Sequence, residues 1–170
     1  MMNILIVDGY NVIGAWQELE QMKQYNMEHA RDRLIDLLAE YKAYTGNRVI
    51  VVFDAYYVSG SESMYDVHQV EVIYTKEKET ADECIEKLIK SLKKVDNQVY
   101  VATSDYAEQR TIFSQGALRL SARELLMEMK QVQHRIEQKL MNQKKFQPQS
   151  KIALNDQVLK VFEKWRRGKI

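Results

Sequence analysis

Ile4-Leu5-Ile6-Val7-Asp8-Gly9-Tyr10-Asn11 sets four apolar residues, an aspartate and a glycine side by side near the start of the sequence. An unbroken apolar run of this length reads as a strand buried on both faces, as in a parallel sheet. The glycine behind the aspartate lets the chain turn sharply, and the Asn11 amide can orient a ligand or a carboxylate. Three further aspartates hold comparable places. Asp54 closes Val49-Ile50-Val51-Val52-Phe53, Asp105 follows Val99-Tyr100-Val101-Ala102-Thr103-Ser104, and Asp82 is the second residue of a helix opened by Thr80-Ala81-Asp82-Glu83. Strand carboxyl ends of an open parallel sheet share one edge, and ligands bind in the crevice outside it. Each aspartate alone reads equally well as a turn, cap or helix-dipole residue. Four on one edge form an acidic cluster, which repels itself unless a proton or a hard cation such as Mg²⁺ neutralises it.

Segments 4–7, 49–53, 70–74, 99–103 and 117–120 are rich in β-branched and aromatic residues and read as strands. Helical patterns lie between most of them, which predicts an α/β fold with a mostly parallel sheet covered on both faces. The helix over 27–44 carries Ala30, Leu34, Leu37, Leu38 and Tyr41 on one side and is stopped by Gly46-Asn47. The helix from Thr80 starts with a capping box and buries Ala81, Cys84, Ile85, Leu88, Ile89 and Leu92. Ser121-Ala122-Arg123-Glu124 is a second capping box. It opens a long helix, ending near Asn142, whose buried side is Leu125, Leu126, Met129, Val132, Ile136 and Leu140. Lys144-Lys145-Phe146-Gln147-Pro148-Gln149-Ser150 lacks periodicity and reads as a linker. A last helix, with Asn155 as N-cap, bears Val158, Leu159, Phe162 and Trp165 as an apolar stripe. The expected organisation is one domain over 1–142 and a basic linker with a C-terminal helix over 143–170.

A hydrophobic content of 45% over 170 residues supports a sizeable core without disulfides. The single cysteine, Cys84, reads as a core side chain. The apolar run of residues 4–7 is too short for a signal-peptide core or a membrane span, which points to a cytoplasmic protein. The net charge of +1 conceals an asymmetry. Residues 1–129 hold 14 Lys/Arg and 21 Asp/Glu, a balance of −7, and residues 130–170 hold 11 and 3, a balance of +8. A basic tail on an acidic body is either a solvated helix or a handle for a polyanion such as nucleic acid. The interleaving of Phe146, Phe162 and Trp165 with the basic residues favours the handle.

Carboxylates that hold one or two divalent ions serve phosphodiester hydrolysis, where the metal activates water and stabilises the leaving oxygen. No histidine base is needed, and His29, His68 and His134 are scattered without metal-ligand spacing. A receiver domain would need an acidic neighbour beside Asp8 and a lysine after the last strand, where Leu118-Arg119-Leu120-Ser121 has none. A haloacid-dehalogenase-type phosphatase would need Asp-x-Asp where Asp8-Gly9-Tyr10 stands.

Asp8-Gly9-Tyr10-Asn11-Val12-Ile13, Val51-Val52-Phe53-Asp54, Thr80-Ala81-Asp82-Glu83 and Thr103-Ser104-Asp105 together resemble the YacP-type NYN-domain family, a branch of the PIN-like nucleases. The likeness runs in order through about residues 1–130. It implies a PIN-like three-layer α/β/α sandwich and an endoribonuclease that cuts single-stranded RNA with Mg²⁺ or Mn²⁺. It also implies action on mRNA associated with translating ribosomes. Carried across, Asp8, Asp82 and Asp105 become the principal metal ligands and catalytic carboxylates, and Asp54 a further ligand. Asn11 and Ser104 become polar supports. Glu83 matches too, although its capping role already explains it. Around that site Tyr56, Tyr57 and Tyr65 either stack on bases or pack their loop, and Arg110 and Arg119 are candidates for phosphate contacts. Lys144, Lys145, Lys164, Trp165, Arg166 and Arg167 carry the expected RNA handle. The competing expectation is an RNA- or ribosome-binding module without chemistry, its pocket holding a structural metal or none.

Overall fold

The computed structural model describes residues 2–55, 64–146 and 156–168. Among these, six strands form one sheet: β1 (Met2–Asp8), β2 (Arg48–Phe53), β3 (Met64–Val67), β4 (Val70–Tyr74), β5 (Asn97–Ala102) and β6 (Leu118–Leu120). Their order is β3-β4-β2-β1-β5-β6, all parallel except β3, which runs antiparallel to β4. The helices are α1 (Gly9–Ala15), α2 (Gln17–Tyr25), α3 (Met27–Thr45), α4 (Ala81–Leu92), α5 (Tyr106–Ser114), α6 (Ala122–Phe146) and α7 (Asp156–Arg166). The chain forms two compact units, residues 1–133 and 134–170.

β1 is the centre of the sheet because Ile4, Leu5, Ile6 and Val7 have apolar surroundings on both faces. Fully burying side chains of this size contributes about 1.5–3 kcal/mol each. Ile4 and Ile6 join Ile50, Val52, Val99 and Val101 on the face covered by Ala81, Cys84, Ile85 and Ile89 of α4 and Ile112 of α5. α1 and α3 contact the sheet through β1, β2 and β4, with Leu34 and Leu38 of α3 fully buried. The three layers are therefore helix, sheet, helix, as the PIN-like resemblance implies.

The chain leaves β1 toward β2 and β4 on one side, then returns to place β5 and β6 on the other. That reversal makes the crevice between the carboxyl ends of β1 and β5 the switch point where α/β sheets bind ligands. Gly9 follows Asp8 at the end of β1. A Cβ there would stand 2.3 Å from Phe53 Cε1 and 3.1 Å from the Val52 carbonyl oxygen, so only glycine lets α1 start against β2. Tyr10 then packs on Phe53 with ring centroids 5.1 Å apart, and Phe53 stacks on Tyr74 at 5.5 Å. The Trp16 indole N–H donates to the Ala122 carbonyl at 2.6 Å and ties the end of α1 to the start of α6.

Several elements depart from expectation. α1 and α2 are too short, at seven and nine residues, to show a full helical period. β3 pairs with β4 through a two-residue turn, His68-Gln69, in which both residues have positive φ (52° and 69°). Such a hairpin turn is usually signalled by Asn-Gly or Asp-Gly, so this one is hidden in the sequence. α6 runs on to Phe146, which makes Lys144, Lys145 and Phe146 helical rather than linker. No helix breaker precedes Pro148. Toward its end the expected buried stripe lapses, Ile136 being half-buried and Leu140 54% exposed. Residues 147–150 and Asn155 lie outside the described residues.

Replacing Gly9 with alanine is expected to destabilise the protein by about 1–3 kcal/mol through overpacking against Phe53. Urea unfolding of Gly9→Ala, alone and with Phe53→Leu, checks this; the second change should recover part of the loss.

Candidate functional site

Asp8 is the last residue of β1 and also the N-cap of α1, yet its side chain makes no cap hydrogen bond. It accepts from the Thr103 hydroxyl at 3.3 Å. Thr103 follows β5, the neighbour of β1, and its backbone N–H donates to the Leu120 carbonyl at 3.0 Å, so three strands hold this hydroxyl in place. The Ser104 backbone N–H donates to Asn11 Oδ1 at 2.7 Å. The loop after β5 is thereby latched to α1. The Asp105 N–H donates to Thr103 Oγ1 at 3.1 Å, and Asp105 Oδ1 accepts from the Ala107 N–H at 2.9 Å to cap α5. Asp54 follows β2, where the Phe53 carbonyl accepts from the Thr75 N–H at 3.0 Å and the Ala55 N–H donates to Thr75 Oγ1 at 2.9 Å. Asp82 occupies the second position of α4, behind a Thr80 cap that accepts from the Glu83 N–H at 3.2 Å.

The four aspartates act on one another. Burial pushes the Asp8 carboxyl up to about 7, and the Asp82 carboxylate adds to the shift. The Thr103 hydrogen bond opposes it, while Asp105 and Asp54 push further upward. Asp82 is more open to solvent, and its carboxyl is also raised, first by burial, then by Asp105, Asp54 and Glu83. The sequence alone favours an ionised Asp82 in the field of a helix N-terminus. Partial burial and then its carboxylate neighbours act against that field and raise its carboxyl.

A fifth carboxylate joins them. One oxygen each from Asp8, Asp82 and Glu108 of α5 lie within 4.8 Å of one another. Glu108 is buried, and neither of its oxygens has a hydrogen-bond partner among the described residues. The donors are all oxygen and carry negative charge, the set that hard divalent cations prefer. Each of the three oxygens stands near enough to the other two to share one ion. The residues therefore fit such an ion. Glu108 escaped sequence reasoning because Asp105-Tyr106-Ala107-Glu108 has the spacing of an ordinary capping box. Asp82 and Glu108 also line a groove of about 160 Å³ between α4 and α5.

The candidate RNA contacts separate. The guanidinium of Arg119, which is partly exposed, lies 4.6 Å over the ring of Tyr106, which is itself 77% exposed. Arg110 is exposed on α5. Lys144 and Lys145 are exposed on the last turn of α6, as are Lys164, Trp165, Arg166 and Arg167 at the end of α7. Tyr56 and Tyr57 lie outside the described residues, as does the side chain of Tyr65. Among the described residues, no helix is long and apolar enough to cross a membrane.

A family model described as a YacP-like NYN domain matches residues 5–167. The chain belongs to that family. The family lies within the PIN-like nucleases, which connects the acidic crevice to a nuclease function related to RNA. The uncharacterized protein YacP of Bacillus subtilis (strain 168) is 58% identical over 167 residues, 98% of each chain. The crystal structure of Rae1 (YacP) from Bacillus subtilis is similar at a TM-score of 0.76 and 58% identity, covering 98% of this chain and 96% of that one. A tryptophan-to-leucine mutant of Rae1 (YacP) is similar at the same TM-score, with 55% identity and the same coverage.

The raised Asp8 carboxyl has a direct consequence for stability. The folded protein holds this proton more tightly than the unfolded chain, so stability is fullest below pH 3.8 as far as this group is concerned. It is lost as pH rises to about 7. In chelator the melting temperature should fall across that window, and Mg²⁺ should restore it more at pH 7.5 than at pH 5. Calorimetry at fixed ionic strength measures this, and a Mg²⁺ effect independent of pH would contradict it.

Proposed function

We propose that this chain is a divalent-metal-dependent endoribonuclease that hydrolyses phosphodiester bonds of single-stranded RNA, with mRNA on translating ribosomes in the cytoplasm as its substrate. The observation that carries the reading is the acidic crevice at the switch point of the sheet, where Asp82, Asp105 and Asp54 add to the effect of burial in raising the Asp8 carboxyl to about 7. Family membership supports a nuclease. The exposed basic residues of α6 and α7 support a polyanionic partner.

Asp8 and Asp82 would hold Mg²⁺ or Mn²⁺, with Asp105 and Asp54 completing the negative field. A cation bound there supplies a water of lowered pKa and charge stabilisation for the leaving oxygen. The chain's own residues do the positioning. The Thr103 hydroxyl fixes the Asp8 carboxylate, and Asn11 anchors the loop carrying Ser104 and Asp105. Tyr106, exposed beside Asp105 and backed by Arg119, offers a face on which a base can stack, worth about 1–3 kcal/mol. The body of residues 1–129 is acidic, so attraction of the strand falls to the basic residues beyond it.

The test is cleavage of one mRNA, free and on translating ribosomes, with Mg²⁺ or Mn²⁺ and mapping of the new ends. Asp82→Asn should lower the cleavage rate by more than about 100-fold, beyond the effect of losing a supporting group, while folding and RNA binding persist. Cuts confined to ribosomes would assign substrate selection to the ribosome. Binding of RNA or ribosomes by the wild type with no cut in either setting would replace the nuclease with a binding module.

Removing residues 151–170 should weaken association with RNA or ribosomes. It should also reduce the steepness of the salt dependence by about 0.7 for each phosphate of a single strand that the tail no longer neutralises. Filter binding across a salt series measures the slope, and an unchanged slope would remove the tail from the interface.

A further inference from the structure

Glu108 is nine-tenths buried, and both of its carboxylate oxygens lack a hydrogen-bond partner among the described residues. Burying such a group without a donor or cation is strongly unfavourable. Its place in α5 offers it a simple local role, which it does not take. Glu108 stands three residues after the N-cap Asp105, where a glutamate ordinarily reaches back to the N-cap N–H. That N–H is already engaged, donating to Thr103 Oγ1 at 3.1 Å. Glu108 turns instead to the crevice, bringing one oxygen within 4.8 Å of oxygens from Asp8 and Asp82.

We infer that Glu108 is a direct ligand of the divalent cation, sharing it with Asp8 and Asp82; the inference rests on the metal-dependent reading above. One cation at this point relieves three carboxylates at once, one of them orphaned and two of them buried. Asp105 is less suited to the same position, because Oδ1 is committed to the Ala107 N–H. It serves with Asp54 to deepen the negative potential around the ion. The arrangement also explains the latch from Thr103 to Asp105. By occupying the Asp105 N–H, Thr103 leaves Glu108 free, and the same hydroxyl donates to Asp8, so one residue orients two ligands.

The experiment measures Mn²⁺ binding to the full chain by titration calorimetry, together with thermal unfolding with and without Mn²⁺. Glu108→Gln should lower Mn²⁺ affinity at least about 10-fold and shrink the Mn²⁺-induced rise in Tm. Its metal-free Tm should equal or exceed that of wild type, because an unpaired carboxylate has been removed. Glu108→Asp keeps the charge on a shorter arm and should also lose affinity, which tests the inference even where the glutamine variant does not fold. Wild-type affinity in either folded variant overturns it. That result leaves the nuclease reading standing if Asp82→Asn still abolishes cleavage, so the two failures are distinguishable. No Mn²⁺ binding by the wild type overturns both the ligand assignment and the metal-dependent reading.

Discussion

Asp8 ends the central strand of a mostly parallel sheet, where its burial away from water, reinforced by three other aspartates, raises its carboxyl to about 7. Charge crowding of this kind is unfavourable in any protein, and the surrounding structure is arranged to sustain it. The apolar core beneath β1 keeps the strand end rigid, the Thr103 hydroxyl gives one oxygen a partner, and Gly9 lets the chain turn away without colliding with Phe53. Hydrophobic burial on both faces of the sheet offsets the electrostatic strain at its edge. A cation would resolve that strain locally, and the oxygen donors of Asp8, Asp82 and Glu108 suit a hard divalent ion.

The same constraint separates the two electrostatic roles of the chain. A body with a balance of −7 over residues 1–129 concentrates a cation but repels a nucleic acid backbone. The +8 of residues 130–170 has the opposite sign, which suits it to attract one under the proposed function. Under the proposed function, the cation locally inverts the sign of the crevice and so admits a scissile phosphate only where the ligands hold it. The exposed Tyr106, resting on Arg119, gives the crevice a rim with aromatic and cationic character.

Much of this was legible in the residues. The apolar runs ending in Asp8 and Asp54, the Thr80 cap before Asp82 and the Ser121 cap before the long helix are local patterns, each governed by backbone chemistry within a few residues. Cys84 and the apolar stripes of α3 and α4 were readable for the same reason, because periodicity follows from helix geometry. The short α1 and α2 were not, since a single turn or two leaves too few residues to show a period. Nor was the β3–β4 hairpin, because His68 and Gln69 adopt positive φ without the residues that usually announce it.

The sequence by itself determined the α/β class, the parallel strands and the four aspartates, because strand burial and helix capping are written in nearest neighbours. Only the tertiary structure decided which carboxylates meet. Glu108 stands in the chain at the spacing of a capping residue, and in the fold one of its oxygens lies within 4.8 Å of oxygens from Asp8 and Asp82, while Thr103 takes the Asp105 N–H. Arg119 reads as a candidate phosphate contact in the chain, and the fold sets its guanidinium over the Tyr106 ring once β6 lies beside β5. The meeting of Glu108 with Asp8 and Asp82 depends on strands and helices far apart in sequence coming together at one edge of the sheet, which no local pattern records.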